Sequence, residues 1–146
     1  MSPLTNPDPV GQKGEAVSKP CYIGAPACFA LEMACRDICA AFDGYGCYVV
    51  GSALARPDWR DVDIRFIMED AKFAELFPLA GLHWEHDSRW LLLTVSISEH
   101  LSKRTGLPID FQFQPQTHAN ERHEGQRNAV GLSYRIMDAA RKGKAE

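Results

Sequence analysis

Aspartate is disfavoured inside β-strands, yet Asp61 and Asp63 stand two residues apart in Arg60-Asp61-Val62-Asp63-Ile64, and Asp110 recurs in Ile109-Asp110-Phe111. In extended chain, positions i and i+2 lie about 6.6 Å apart with side chains on one face, so both carboxylates can converge on one or two cations. Without a cation, such carboxylates repel and one tends to take up a proton; Mg2+ relieves the repulsion and also bridges phosphate oxygens. Upstream, Val49-Val50-Gly51-Ser52 ends an apolar run in a glycine turn that can offer backbone N–H groups and a hydroxyl to a triphosphate. A turn for phosphate, carboxylates for metal and an acid near an incoming hydroxyl are the parts that nucleotidyl transfer needs. Asp61 and Asp63 are assigned to metal binding, Asp110 to metal binding or deprotonation of the attacking hydroxyl, and Gly51 and Ser52 to the nucleotide.

Strands and turns must hold these residues in place. Residues 48–50 read as a short buried strand ending at Gly51, and Ser52 caps a helical turn through Ala55 that breaks before Pro57. The next strand starts near Arg60; along residues 61–68, Val62, Ile64 and Phe66 face one way and Asp61, Asp63 and Arg65 the other. A third strand, residues 109–114, sets Ile109, Phe111 and Phe113 against Asp110, Gln112 and Gln114. If it lies beside the second strand in suitable register, Asp110 joins the first two acids. A largely buried helix is expected over 27–42, where Phe29, Leu31, Met33, Ala34, Ile38 and Ala41 are apolar and Asp43-Gly44 supplies a stop. Asp70 caps a helix through Phe77, ended by Pro78. Over 88–104 the composition of Trp90-Leu-Leu-Leu-Thr-Val admits a strand, but Trp90, Leu93, Ile97 and Leu101 keep helical spacing and favour a helix closed by Gly106 and Pro108. From Thr117 onward a loop or short helices precede a basic tail.

The 146 residues, 45% of them hydrophobic, suit one compact domain that buries about 70% of its unfolded surface. Residues 1–20, rich in Pro, Gly and polar groups, read as a flexible leader, and residues 21–146 as the domain. A net charge of −3 argues against a protein that coats nucleic acid. No apolar run approaches the roughly 18 residues of a membrane span, and the N-terminus lacks a basic-then-apolar signal. Five cysteines without a paired framework read as reduced thiols, which places the protein in the cytoplasm.

The order apolar residue, Gly-Ser, Asp-x-Asp on a strand, then a third acid on a later strand resembles the DNA polymerase beta-like nucleotidyltransferase superfamily. Gly51, Ser52, Asp61, Asp63 and Asp110 carry the resemblance, which spans residues 27–114 and is closest to small single-domain members of the minimal kind, phage ones included. It implies an α/β (α+β) fold with a small mixed sheet flanked by helices. It also implies two-metal transfer of a nucleoside monophosphate with release of pyrophosphate, and the activity expected of the chain is Mg2+-dependent transfer from a nucleoside triphosphate, ATP first among them, to a hydroxyl acceptor. Many small members carry a second Gly soon after Gly-Ser and a Ser before the first acid. This chain instead has a shorter link, with Arg56 in that region and Arg60 before Asp61, which puts the phosphate grip in question. Arg56, Arg60 or Arg65 could contact phosphate, against the plainer reading of each as a surface arginine or one paired to a neighbouring acid.

Other constellations are discounted. Cys28, Cys35 and Cys39 share one side of the first helix, but Cys28 and Cys35 are separated by about 10.5 Å of helix rise, too far for one zinc, so buried thiols are expected. His83-Trp84-Glu85-His86-Asp87 lacks the i, i+4 histidines of a metalloprotease helix and reads as a polar connection. His118 and His123 lie in a polar stretch where exposure is the default, though either could touch substrate. Trp59 is the best of the three tryptophans for stacking a base, with packing still the favoured role, and Trp90 is read as core. Two competing functions remain: a catalytically inactive module that binds nucleotide or a protein partner, and nucleic-acid binding through Arg135, Arg141, Lys142 and Lys144. A chain this small fits a modifying enzyme better than a processive polymerase, completed by a homodimer or a protein partner over the open face of the sheet.

Overall fold

A computed structural model of the chain describes residues 21–132. The expected leader and the basic cluster of Arg135, Arg141, Lys142 and Lys144 lie outside the described residues. In chain order the elements are α1 (Ala27–Ala41), β1 (Gly46–Val50), α2 (Ser52–Ala55), β2 (Val62–Met68), α3 (Asp70–Leu76), a 3-10 turn (Trp84–His86), α4 (Ser88–Thr105), β3 (Ile109–Pro115), α5 (Gln116–Arg122) and β4 (Asn128–Val130). The four strands form one sheet in the order β3-β2-β1-β4, with β1 antiparallel to both its neighbours and β2 parallel to β3. This is the mixed sheet flanked by helices that the sequence resemblance implies. Parallel neighbours need a long crossover, supplied here by α3, the 3-10 turn and α4.

The period-two pattern divides the sheet into two faces. Val62, Ile64, Phe66, Ile109, Phe111 and Phe113 are buried in one core cluster with residues of α1 and α4, whereas Asp63, Arg65, Asp110 and Gln112 lie on the opposite face. Strand β2 starts at Val62 rather than near Arg60, so Asp61 is an exposed residue immediately before the strand. At the outer side of β3, α4 satisfies the backbone groups that an edge strand leaves open. Ser98 Oγ accepts from the Phe111 N–H (2.9 Å), Ser102 Oγ accepts from the Ile109 N–H (3.0 Å), and Trp90 Nε1 donates to the Phe113 carbonyl (3.1 Å).

Helix α4 confirms helical spacing over strand composition. Its buried stripe is Trp90, Thr94, Ile97 and Leu101, with Leu93 partly buried, and Gly106 ends it in the left-handed conformation (φ 76°) that favours glycine. In α1 the expected stripe is displaced. Phe29 and Met33 are 65% and 59% exposed, while Leu31, Ala34 and Ile38 are buried as expected, and so are the thiols of Cys35 and Cys39. Those five positions follow i, i+3, i+4, i+7 and i+8, so two cysteines complete a face that counting only the larger apolar residues misplaces.

Asp87 fastens the start of α4. It is 2% exposed; Oδ1 accepts from the N–H groups of Arg89 (2.8 Å) and Trp90 (3.2 Å), and Oδ2 from that of Leu79 (2.8 Å). Burial works to raise its pKa, but the three N–H bonds and the Arg89 charge outweigh it and hold the carboxyl below the ordinary value of 3.8. A depressed folded pKa stabilises the fold fully above 3.8, and that stability is lost as pH falls through the lower folded value. Asp87→Ala is therefore expected to lower Tm by roughly 5 °C or more at pH 7. The gap from wild type should narrow in melts run from pH 5 down to pH 2; a gap independent of pH would contradict the ionised cap.

Candidate active site

The parallel register of β2 and β3 decides how the acids meet: Asp63 lies directly opposite Asp110, as Arg65 does opposite Gln112. On the other side Asp63 pairs with Val50, the last residue of β1, so the Gly51 turn closes onto the same carboxylate. Gly51 has φ 81° and ψ −151°, a conformation confined in practice to glycine, and a Cβ built there would stand 2.5 Å from Asp63 Oδ2. The glycine is required twice over, by its backbone and by its neighbour. Gly51→Ala is expected to cost about 1–3 kcal/mol and to push the Asp63 carboxylate aside. A chemical denaturation midpoint equal to that of wild type would refute this.

Arg65 is the group that spacing alone left open. Only 8% exposed, it donates through Nη1 to the backbone carbonyls of Asp110 (2.7 Å) and Ile64 (3.1 Å). Its Nη2 lies 3.3 Å from Asp110 Oδ2 and 3.9 Å from Asp63 Oδ1, while Nε has no hydrogen-bond partner among the described residues. Of the two readings of Arg65, pairing with neighbouring acids is the one found. Arg56 likewise pairs with Asp58 at the surface (3.4 Å), and Arg60 is exposed.

Beside the acids lies a cleft of about 590 Å³, lined by Val50, Gly51, Asp63, Arg65, Trp84, Gln112, Gln114, His118, Arg122 and His123. Helix α5 and the 3-10 turn supply its wall. The Trp84 and His118 rings meet edge to face at 4.6 Å, and His123 Nε2 lies 3.1 Å from Gln114 Oε1, whose own amide donates to Gln112 (3.3 Å). Burial first, then the charges of Arg65, Arg127, His118 and Arg122, hold the His123 pKa below 6.5, so its imidazole is neutral at pH 7.

Family models, curated proteins and solved structures give no match to the chain.

The five sequence-assigned residues thus divide. Gly51 and Asp63 line the cleft, Asp110 stands beside Asp63 at its margin, and Asp61 is exposed before β2 yet close enough for its charge to act on Asp63. Ser52 is the first residue of α2, with Gly51 in the capping position, so the expected cap by Ser52 is corrected: the turn is set by glycine geometry and has no side-chain cap. Trp59 takes the packing role favoured for it over base stacking, set against the core with Nε1 donating to the Tyr22 carbonyl (2.9 Å). Trp84 lines the cleft in its place. Its signal lay in the dense polar run from His83 to Asp87, which alternates with no period and hides an inward residue.

Among the described residues no group of three or more His, Cys, Asp or Glu side chains is arranged so that it could hold a metal ion. Burial raises the Asp63 pKa above 3.8, helped by the fields of Asp110 and Asp61 and opposed by the pull of Arg65. Asp61, Asp63 and Asp110 offer only oxygen donors, as Mg2+ prefers. The thiols do not compete for such a role. Cys35, Cys39 and Cys47 are buried, and hydrogen bonds from Cys35 and Cys39, with burial, push the Cys47 thiol well up, so it stays protonated and unreactive.

Proposed function

We propose that the protein is a Mg2+-dependent nucleotidyltransferase that moves a nucleoside monophosphate from a nucleoside triphosphate, ATP first among them, to a hydroxyl acceptor. One observation carries the reading: Asp63 and Asp110 stand in register on adjacent strands of the open sheet face while the Gly51 turn closes on the Asp63 carboxylate. Asp63, with Asp61 and Asp110, would hold the divalent ion, whose positive charge would offset negative charge on the phosphates. The chain's own groups do the rest. The Gly51 turn lets phosphate approach backbone closely, and the cleft gives the nucleotide a wall of Trp84 and His118 and a floor of Gln112 and Gln114. In the transfer, the acceptor oxygen bonds to the α-phosphorus as the bond to the bridging oxygen breaks. Pyrophosphate leaves with the electron pair, and the hydroxyl proton passes to a carboxylate, for which Asp110 is the candidate.

A second reading, a module of this architecture that binds nucleotide or a protein partner without transfer, is favoured by the guanidinium of Arg65 standing between two of the acids. Isothermal titration of ATP and the other triphosphates, with and without Mg2+, separates the two when joined to a pyrophosphate-release assay. Metal-dependent binding that is lost in the Asp61→Asn/Asp63→Asn protein, with pyrophosphate release in the wild type, supports transfer. Binding without release moves the assignment to the module. A folded wild type that binds no triphosphate overturns the nucleotide reading altogether.

A further inference from the structure

The cleft is more basic than the chain that builds it. The protein carries a net charge of −3, yet the lining of the cleft holds two guanidiniums, Arg65 and Arg122, and two imidazoles, His118 and His123, against one carboxylate, Asp63. Asp61 and Asp110 stand outside that lining, and Arg65 lies 3.3 Å from Asp110 and 3.9 Å from Asp63, so the nearest negative charges are already offset. A concave, partly buried site concentrates the field of the charges around it. His123 registers that field, since the charges of Arg65, Arg127, His118 and Arg122 add to burial in holding its imidazole neutral.

The hydrogen-bonding groups of the lining point the same way, because those left unspent are donors. Arg65 commits Nη1 and Nη2 to the strand pair, but its Nε is buried with no partner among the described residues, in a side chain only 9% exposed. Arg122 makes no hydrogen bond or ion pair among the described residues, and the His118 ring meets Trp84 while neither of its nitrogens is hydrogen-bonded there. Gln112 accepts from Gln114 through Oε1 and keeps its own amide N–H groups free. Donors that converge without acceptors, one of them buried, call for a ligand that brings acceptors. Phosphate brings several oxygens and negative charge, and a guanidinium meets it with a fork of parallel N–H groups.

We propose that the cleft binds the phosphate group of a small ligand directly on these side chains, Arg122 and His118 with Arg65 and Gln112, with no metal ion between protein and phosphate. The inference goes beyond nucleotidyl transfer, and it stands whether or not the carboxylates hold a cation. A free pyrophosphate and the phosphates of a nucleotide present the same chemistry to these donors.

The test is calorimetry on the full chain in EDTA at low ionic strength, with inorganic pyrophosphate, ADP and adenosine as the probes. Wild type is expected to bind ADP, pyrophosphate or both, and adenosine at least about tenfold more weakly than either ligand it binds. Binding of both assigns the site to phosphate as such, and binding of ADP alone to the phosphate of a nucleotide. Arg122→Gln is expected to weaken binding at least about tenfold. Arg122 is exposed and unpaired among the described residues, so the substitution spares the fold. Arg56→Gln, which removes an arginine outside the lining, should bind as wild type does. No binding in EDTA overturns the proposal, as do adenosine held as tightly as ADP, unchanged affinity in Arg122→Gln, or an equal loss in Arg56→Gln. None of these outcomes bears on the titrations with Mg2+, which decide the transfer reading separately.

Discussion

Asp63→Asn is expected to reduce metal-dependent pyrophosphate release by roughly a thousandfold or more, while the protein melts at the same temperature as wild type or slightly higher. The first half follows from what a divalent ion is worth in phosphoryl-type transfer, several kcal/mol of charge stabilisation, each 1.36 of which is about a factor of ten in rate. Asp63 is the acid that binds the pieces together: it lines the cleft, faces Asp110 across the strand pair and lies against Gly51. The second half follows from the sign of its pKa shift. A folded pKa raised above 3.8 means that the fold favours the protonated acid. Its contribution is most favourable below 3.8 and declines as pH rises through the folded value, so at pH 7 the ionised carboxylate is a cost that asparagine removes. Loss of function with retained or improved stability is the mark of a residue kept for chemistry. Equal turnover in the two proteins would remove Asp63 from the active site, and a large fall in Tm would make it a structural residue instead.

Phe113→Ala is expected to destabilise the protein by about 3–5 kcal/mol, a large share of the roughly 5–15 kcal/mol that holds a domain of this kind together. The ring is fully buried at the centre of an aromatic cluster, 4.9 Å from Phe42, 5.0 Å from Phe111, 5.4 Å from Phe77 and 5.5 Å from Phe66. These partners come from β2, β3, the end of α1 and the end of α3, so one truncation opens a void against several elements at once. Its neighbours along β3, Gln112 and Gln114, form the floor of the cleft, and the strand that carries them loses its anchor. Urea denaturation followed by fluorescence checks the size of the loss. A change under about 1 kcal/mol would mean that the core collapses around the gap, contrary to the tight packing described.

Much of the fold was legible because the strands that matter obey a strict period of two. Val62, Ile64 and Phe66 are buried beside a partly open Asp63, and Ile109, Phe111 and Phe113 beside Asp110 and Gln112, in the order that the alternation demands, whereas Arg65 departs from it and is drawn in by its bonds to Asp110. Helix α4 was legible for the opposite reason: eighteen residues hold one helical stripe, which outlasts a local run of strand-like composition. Strand β4 was not, since Asn128–Val130 is three residues long and its pairing with β1 is a long-range contact with no local signature. At the site, the acids announced themselves by type. Whether Asp63 would face Asp110 depended on a parallel register that only packing sets, and the same register brings Arg65 to Asp110, 45 residues away, where no local spacing points. Gln114, His118 and His123 converge through the turn from β3 into α5, a bend that their spacing did not specify.

The hydroxyls of Ser98 and Ser102 have a consequence for assembly. Hydrogen-bonding positions along the outer border of β3 are already taken by α4, so that border offers no template to an incoming strand. Any enlargement of the sheet, whether by further chain or by a second molecule, must proceed past β4, on the side away from Asp110. Such growth would lengthen the platform while leaving the acid-bearing pair of strands, and the approach to it, unchanged.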